Sequence, residues 1–161
     1  MKQASKKALT KTKTPVPCDE AGRIAALREC GILDTAPEEC FDDIARLAAY
    51  ICKTPIALVS LVDKSRLWFK AKVGFPLSEL PRESTFCTQA ILKPEPFIIE
   101  DASADKRYAK NPYVQYEPHV RFYAAVPLVT TDGHALGVLC VIDHQRRTLD
   151  HEQHEALEVL A

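Results

Sequence analysis

The sequence lacks the features that mark several classes of protein. No apolar run is long enough to span a membrane, and the first residues have no apolar segment of the kind that a secretory signal needs. There is no Cys-x-x-Cys pair, no phosphate-binding glycine loop and no Ser-His-Asp sequence word. These absences predict a cytoplasmic protein, and they give no indication of a zinc finger, a nucleotide-binding loop or a hydrolase triad.

The folded part of the chain also lacks a surplus of basic residues. Residues 1–18 hold five of the 21 basic residues and none of the 22 acidic ones, so the remainder is acidic overall. A nucleic-acid-binding domain would carry its basic surface on the folded part. We therefore predict a disordered basic leader over residues 1–18, a single domain over residues 19–161 and no nucleic-acid partner.

The six cysteines do not form a recognisable disulfide or metal framework. Several lie in apolar patterns, where a free thiol behaves as a small hydrophobic group. His151 and His154 lie three residues apart beside Asp150, but no third ligand stands at a suitable spacing. The sequence predicts neither disulfides nor a metal site, and it identifies no cofactor.

The most informative stretch is residues 121–143, in which two apolar runs flank an Asp-Gly pair. This dipeptide favours a type I′ turn, so we predict a tight hairpin with Val129 opposite Leu136 and Ala125 opposite Cys140. Neither run alternates cleanly between apolar and polar residues, which is typical of strands that are covered on both faces. We expect the hairpin in the middle of a sheet. Its small residues leave room for either a ligand or a closely packed helix.

The first half of the chain predicts two helices followed by two strands. A short helix is expected over residues 19–30, with Ile24, Leu27 and Cys30 on its apolar side. A second helix follows the sequence Thr35-Ala36-Pro37-Glu38, which has the form of a capping box. Its apolar face is predicted from helical spacing to contain Phe41, Ile44, Leu47, Ala48 and Ile51. Strands are expected over Ile56–Val62 and residues 67–73, the second with one more exposed face.

The region between these two strands and the central hairpin is long and rich in proline. It contains a short predicted helix over residues 84–92, a brief strand at Phe97–Ile99 and polar turns over residues 105–118. Loops of such length usually carry function. After the central hairpin, Asp150 and Gln153 cap a last helix that has a narrow apolar seam. The pattern stops within this helix, so we expect a longer parent protein with a C-terminal output domain.

Six segments occur in an order that resembles the GAF domain, and together they cover roughly residues 19–161. They are GILDTAPEECFDDIARLAA, PIALVSLVD, RLWFKAKVG, STFCTQAI, IIEDASADKRYAKNP and RFYAAVPL with GHALGVLCVID. The sequence is similar to GAF domains at the N-terminus of bacterial sensor histidine kinases and diguanylate cyclases. The resemblance implies an α+β fold with a central antiparallel sheet of about six strands. It also implies terminal helices on one face, which often pair in a homodimer, and a pocket-forming insert on the other.

The implied pocket would have its floor on the hairpin and its walls in the insert. The candidate ligand-binding residues are Trp68, Phe86, Cys87, Asp101, Tyr108, Tyr123 and Cys140, because aromatic walls with a few polar groups are typical of ligand sites. Each has a structural alternative: the aromatic residues could be core residues, and Asp101 could cap the turn that follows it. Arg107 and Arg121 could bind an anionic ligand or form surface ion pairs.

Departures from the subfamily patterns leave the small molecule unidentified. Asn111 is followed by Pro112 and does not begin the signature of cyclic-nucleotide-binding GAF domains. Cys87 and Cys140 are not followed by the histidine that is common after a bilin-linked cysteine. The glycine-rich segment of free methionine-R-sulfoxide reductases is not recognisable.

Three functional hypotheses follow from the sequence. The first is a non-catalytic sensory and regulatory domain that binds a small molecule or dimerises, and so controls an attached output domain. The second is a structural dimerisation module without a ligand. The third is a redox sensor or thiol enzyme that uses Cys87, which stands near the start of a short predicted helix.

Overall fold

A computed structural model describes residues 17–83 and 85–161 of the chain. The leader predicted over residues 1–18 therefore lies, except for its last two residues, outside the described residues. Six antiparallel strands form one sheet in the order β3-β2-β1-β6-β5-β4. The strands are β1 (Ile56–Val62), β2 (Arg66–Val73), β3 (Glu79–Pro81), β4 (Phe97–Ile99), β5 (Phe122–Val129) and β6 (Ala135–Asp143). The predicted α+β architecture with about six strands is confirmed.

Helices cover both faces of this sheet. The described residues form α1 (Glu20–Glu29), α2 (Glu39–Cys52), α3 (Phe86–Ala90), α4 (Pro112–Gln115) and α5 (His151–Leu160). The longer helices α2 and α5 pack on one face, where Leu157 meets Phe122 and Leu139 in one apolar cluster. The insert, with α3 and α4, covers the opposite face and contributes to a second cluster. No helix within the two described ranges has the length and apolarity needed to cross a bilayer.

The hairpin of β5 and β6 lies inside the sheet, as its lack of alternation predicts. Ala125 pairs with Cys140, but the register shifts at the loop end, where Val129 pairs with Ala135 and not with Leu136. Thr130 accepts a hydrogen bond from the Gly133 amide, and Gly133 has a φ of +91°. This is a three-residue loop with a bulge, so the predicted type I′ turn is wrong. Only one residue of the Asp-Gly pair takes a positive φ, and the strands remain paired.

The predicted capping box at Thr35 does not form. Helix α2 begins at Glu39, and its N-cap residue Glu38 makes no side-chain capping bond. The Nζ of Lys70, on β2, instead donates to the Thr35 hydroxyl at 2.7 Å and to the Glu38 carboxylate at 2.5 Å. The strand that was expected to expose one face is thus buried at Lys70. The two side chains of the expected capping box, those of Thr35 and Glu38, therefore bind the buried ammonium of Lys70.

Strand β2 has a bulge at Lys70. Ser60 pairs with Phe69 and Val59 pairs with Ala71, so Lys70 is the extra residue on β2. An extra residue changes the face on which the following side chains lie. Alternation from Phe69 puts Lys70 on the helix side, against the segment that leads into α2, and the bulge keeps Ala71 on that side as well.

The remaining predicted elements agree with the structure, with some differences in detail. Helix α1 is capped by the Asp19 carboxylate, and α5 has the predicted capping box of Asp150 and Gln153. Cys30 and Leu47, predicted on apolar faces, are exposed. The buried side of α2 consists of small residues, Ala45, Ala48, Ala49 and Cys52. Strand β3 was not predicted, and Ser84, at the predicted start of α3, lies outside the described residues.

Candidate functional site

An apolar pocket lies between the insert and the sheet. Its free volume is about 40 Å³, enough for only a few water-sized groups. Strands β1, β2, β3, β5 and β6 contribute to its floor and sides, and the insert covers it. The lining residues are Leu58, Leu67, Phe69, Phe75, Leu80, Thr85, Phe86, Cys87, Tyr113, Pro118, Val120, Tyr123 and Ile142. In this conformation the pocket is far smaller than the 300–1,000 Å³ typical of drug-sized ligands.

Stacked aromatic rings hold the insert against the sheet at this pocket. The ring of Phe86, the first residue of α3, lies 5.1 Å from that of Tyr123 on β5. It also lies 5.1 Å from the ring of Tyr108, and Phe97 contacts both tyrosines edge to face. These spacings are favourable for aromatic pairs. The position of α3, and therefore of Cys87, is fixed by rings from three separate parts of the chain.

Four polar side chains lie together in this otherwise apolar core. The Tyr123 hydroxyl donates a hydrogen bond to Cys87 Sγ at 3.1 Å. Tyr123 pairs with Ile142, so Cys140, two residues before it on β6, lies diagonally across from Tyr123 on the same face. Ser60 pairs with Val138 and is the corresponding diagonal neighbour of Cys140 on β1. We call Ser60, Cys87, Tyr123 and Cys140 the thiol cluster.

The members of the thiol cluster shift one another's pKa. Hydrogen bonding with the Cys140 thiol holds the pKa of Cys87 below its usual value, with a smaller contribution from the Tyr123 hydroxyl. The same bond, acting with burial, raises the pKa of Cys140 well above its usual value. Burial raises the pKa of Tyr123 in the same way. Both shifts follow from the hydrogen bond between the two buried thiols, so Cys87 and Cys140 titrate as a pair.

Ser60 has an unusual position in the cluster. Its side chain is fully buried, yet its Oγ has no hydrogen-bond partner of normal geometry in the described part of the chain. It nevertheless lies close enough to both thiols to influence their pKa. A buried hydroxyl without a partner is uncommon, because burial removes its hydrogen bonds to water.

The structure brings together five of the seven predicted site residues. Phe86, Cys87 and Tyr123 line the pocket, and Tyr108 and Cys140 lie in the same core cluster directly behind it. A role for any of them in binding a ligand remains a prediction. Cys140 is completely buried, so a molecule in the pocket would meet Cys87 first.

The other two predicted site residues lie elsewhere. Trp68 points to the opposite face of the sheet and packs with Leu27 of α1 and with Leu61. Strand alternation puts Leu67 and Phe69, and not Trp68, on the pocket side. Asp101 accepts hydrogen bonds from the amide and hydroxyl of Ser103, which are its partners in a turn. Both predictions of a pocket position are therefore wrong.

The two arginines considered for an anionic ligand have structural partners. Arg107 forms an ion pair with Asp105 at 2.6 Å on the surface. Arg121 donates to the backbone carbonyls of Val114 and Val120. Neither arginine lines the pocket.

The sequence reasoning missed several residues of the pocket wall. Phe75 and Leu80 come from the segment that was assigned no regular structure, and Phe75 contacts the Phe69 ring edge to face at 5.5 Å. The strand at Leu80 pairs with Leu67 through backbone hydrogen bonds, and a strand of three residues is too short to show a side-chain pattern that predicts it. Ser60 did leave a signal, because it is a polar residue within the apolar run IALVSLV.

A larger cavity of about 330 Å³ lies where the start of α1 meets the β5–β6 loop and residues 91–94. Arg23 is the buried charged group in its wall. The guanidinium of Arg23 is already bonded to Glu20 and to the carbonyls of Ala135 and Leu136. No unsatisfied buried group faces this cavity within the described residues that line it, so we place the candidate site at the smaller pocket.

Sequence comparison places the chain among known proteins. The family model described as GAF domain matches residues 36–161. A cyclic di-GMP phosphodiesterase of Pseudomonas aeruginosa is 44% identical over 133 residues, which are 83% of this chain and 23% of that protein. The chain therefore spans less than a quarter of the length of this curated relative.

Structural comparison gives the same fold at low sequence identity. The GAF domain of a phosphoenolpyruvate-protein phosphotransferase from Acinetobacter has a TM-score of 0.63 and is 19% identical, with 90% of this chain and 89% of that chain covered. A free methionine-R-sulfoxide reductase from Neisseria meningitidis has a TM-score of 0.59 and is also 19% identical, with 86% and 85% covered. The fold is thus shared by the GAF domain of a phosphotransferase and by a reductase.

Proposed function

The chain belongs to the GAF domain family, and on that basis we propose that it is a non-catalytic sensory domain that controls an attached output domain. The pocket between α3 and the sheet is the sensing site in this proposal. A small molecule that favours one position of the insert shifts the domain between two arrangements, by as much as its affinities for them differ.

The pocket itself is the observation that carries the proposal. It is apolar, it is roofed by a short helix, and its roof rests on aromatic rings and not on backbone pairing. Such a roof can move without breaking the sheet. The free volume of about 40 Å³ fits a ligand of a few heavy atoms, or a larger one after α3 moves outward.

The make-up of the pocket supports a sensory role over a catalytic one. Among the described residues of its lining there is no histidine and no carboxylate. Nucleophilic catalysis by Cys87 would require a general base within hydrogen-bond distance. The Cys87 sulfur accepts a hydrogen bond from the hydroxyl of Tyr123, whose pKa is raised by burial and which is therefore a poor base at neutral pH.

The relative from Pseudomonas aeruginosa suggests the kind of output. That protein is named as a cyclic di-GMP phosphodiesterase, and this chain matches less than a quarter of it. We propose that the domain works in the cytoplasm within a longer protein that carries such a signalling enzyme. The terminal helices α1, α2 and α5 lie on the face opposite the pocket and would transmit the change.

The experiment is to purify the domain from its own host and weigh it intact by native mass spectrometry. We expect a co-purifying small molecule in the wild-type protein and its loss in Leu80→Trp, which fills the pocket wall. Leu77→Trp, at a half-exposed position three residues earlier, is the matched control and should retain the molecule. Equal loss or equal retention in the two variants would argue against the pocket as a ligand site. A wild-type protein without any bound molecule would favour a purely structural role.

A further inference from the structure

We propose that Cys87 and Cys140 form a peroxide-sensitive pair, in which Cys87 is oxidised first and Cys140 then closes a disulfide beneath the pocket. The effect of this disulfide on signalling rests on the proposed sensory function, but the oxidation of the two thiols does not. Oxidation of Cys87 would then be an input signal to the domain.

The arrangement of the two thiols supports this order of events. Cys87 lines the pocket, whereas Cys140 lies behind it in the centre of the sheet with no exposed surface. A small oxidant that enters the pocket therefore meets Cys87 and not Cys140. Both cysteines are free in the present structure, and the diagonal position of Cys140 places it beside Tyr123, whose hydroxyl contacts the Cys87 sulfur.

The orphan hydroxyl of Ser60 gives a second and independent reason. It is buried at the thiol cluster without a hydrogen-bond partner among the described residues. A sulfenic acid on Cys87 would add one oxygen atom to this cluster, and that oxygen is an acceptor that Ser60 could serve. The site thus holds a buried donor without a partner of normal geometry, and the added oxygen would be such a partner.

The two steps are balanced as follows. The Cys87 sulfur attacks one oxygen of hydrogen peroxide, the O–O bond breaks, and the departing hydroxide takes the thiol proton to form water. The Cys140 sulfur then attacks Cys87, the S–O bond breaks, and the second hydroxide leaves as water with the Cys140 proton. Two thiols are oxidised to one disulfide, and one peroxide is reduced to two waters.

The disulfide would change how the insert sits on the sheet. It would join α3 to β6 covalently and would remove the thiol that accepts the Tyr123 hydrogen bond. The roof of the pocket would then be fixed to the centre of the sheet. In the sensory scheme, oxidation would hold the domain in one of its two arrangements.

The test follows the redox state of each cysteine by differential alkylation and peptide mass spectrometry. The exposed Cys18, Cys30 and Cys40 are replaced by serine in every protein, to prevent links between molecules. After treatment with hydrogen peroxide we expect a Cys87–Cys140 linked peptide. Cys52 is the internal control, since it is equally buried but on α2, and burial raises its pKa to about 11. Cys87 should oxidise at least about tenfold faster than Cys52.

Three variants separate the steps. In Cys140→Ser, a sulfenic acid should accumulate on Cys87 and be trapped by dimedone; in Cys87→Ser, Cys140 should stay reduced. Ser60→Ala should lower the oxidation rate of Cys87 by roughly 2- to 10-fold, the effect expected for one lost hydrogen bond. A linked peptide that forms at the same rate in Ser60→Ala would remove Ser60 from the proposal.

The main proposal can be overturned without the variants at Cys140, Cys87 and Ser60. It is overturned if Cys87 and Cys140 both stay reduced in the otherwise wild-type background, or if Cys87 oxidises no faster than Cys52. Native mass spectrometry on the same samples reports the occupancy of the pocket. A domain that carries a ligand but keeps both thiols reduced would contradict this inference and leave the proposed sensory function standing.

Discussion

At the scale of single residues, the buried lysine at position 70 shows how charge can join distant parts of the chain. Its side chain is completely buried, and its Nζ donates to Thr35 Oγ1, to the carbonyl of Ala36 and to Glu38. The Phe41 ring lies 5.2 Å from the ammonium. Removing one partner from such a group leaves the others without a bond, so the network acts as a unit.

We expect Lys70→Met to lower the free energy of unfolding by about 1–3 kcal/mol, because three hydrogen bonds to a charged group are lost and Glu38 is left in water. Lys72→Met is the matched control on the same strand. Lys72 is exposed and binds only the carbonyls of Pro76 and Leu77, so the cost should be under about 1 kcal/mol. Urea unfolding of the three proteins measures both values. Equal costs would show that the buried network is not stabilising.

The second prediction at this scale concerns pH. Partial burial tends to raise the pKa of Glu20, but hydrogen bonds from Arg23 and Arg82 outweigh it and lower the pKa to about 2 from 4.5. A lowered pKa in the folded state stabilises the protein above the unfolded value, and this contribution is lost as the pH falls from about 4.5 to 2. Because the carboxylate keeps some contact with water, we expect about 1–2 kcal/mol.

The measurement compares urea unfolding of the wild type and Glu20→Gln between pH 6 and pH 2. The wild type should be more stable by about 1–2 kcal/mol at pH 6, and the difference should approach zero near pH 2. Glu29→Gln, an exposed position on the same helix, should follow the wild-type curve. A wild-type advantage that does not change with pH would mean that Glu20 acts through packing and not through its charge.

At the scale of secondary structure elements, the central strands depend on close approach of their backbones. Gly137 on β6 pairs with Leu61 on β1. A Cβ atom at Gly137 would overlap the carbonyl oxygen of Ser60 and the backbone of Leu61. The small residue therefore makes room for a neighbouring strand, which is the structural alternative that the sequence left open, and not for a ligand.

Gly137→Ala should accordingly destabilise the domain by about 1–3 kcal/mol, the usual cost of inserting an atom into a tightly packed region. The control is Gly133→Asn in the hairpin loop, where the added Cβ meets open space and the cost comes from its positive φ alone. Asparagine tolerates such a φ better than most residues, so we expect less than about 1 kcal/mol. Thermal unfolding monitored by circular dichroism ranks the two variants, and the reverse ranking would contradict the proposed backbone contact.

At the scale of the whole molecule, the sheet separates a pocket side from a helix side. Helices α2 and α5 pack together on the side that faces away from the pocket, and both expose large apolar residues. Tyr50 is 82% exposed and Val159 is 80% exposed, and Leu47 is about half exposed on the same helix as Tyr50. We expect this helix side to pair with a second copy of the chain, as the resemblance to sensory GAF domains implies.

Sedimentation analysis over a range of concentrations tests the pairing. The wild type should form a dimer, and Leu47→Glu combined with Tyr50→Glu should raise its dissociation constant at least about tenfold, because charges are costly to bury in an interface. Leu77→Glu introduces one such charge outside the helices, at a position about as exposed as Leu47, and should have no effect. A wild-type protein that stays monomeric at high concentration would count against helix-borne signalling.

Local patterns in the chain determined most of the architecture. The apolar runs at Ile56–Val62 and residues 121–143 read correctly as covered strands, because a strand buried on both faces needs apolar side chains at every position. The cap at Asp150 was also predicted correctly, since it involves atoms only three residues apart. Phe86, Cys87 and Tyr123, which the resemblance pointed to, line the pocket, and their role in binding a ligand remains a prediction.

Tertiary structure alone decided the features that depend on residues far apart in the chain. The ammonium of Lys70, which is more than 30 residues away in sequence, binds the two side chains of the expected capping box. Trp68 lies on the helix side of the sheet, where it packs with Leu27 and Leu61. The diagonal contact of Cys140 with Tyr123, the contact of Cys87 with the same hydroxyl and the orphan state of Ser60 involve three strands and a helix. Short-range patterns record which side chains are apolar, but only the packed sheet determines which polar groups are left facing one another.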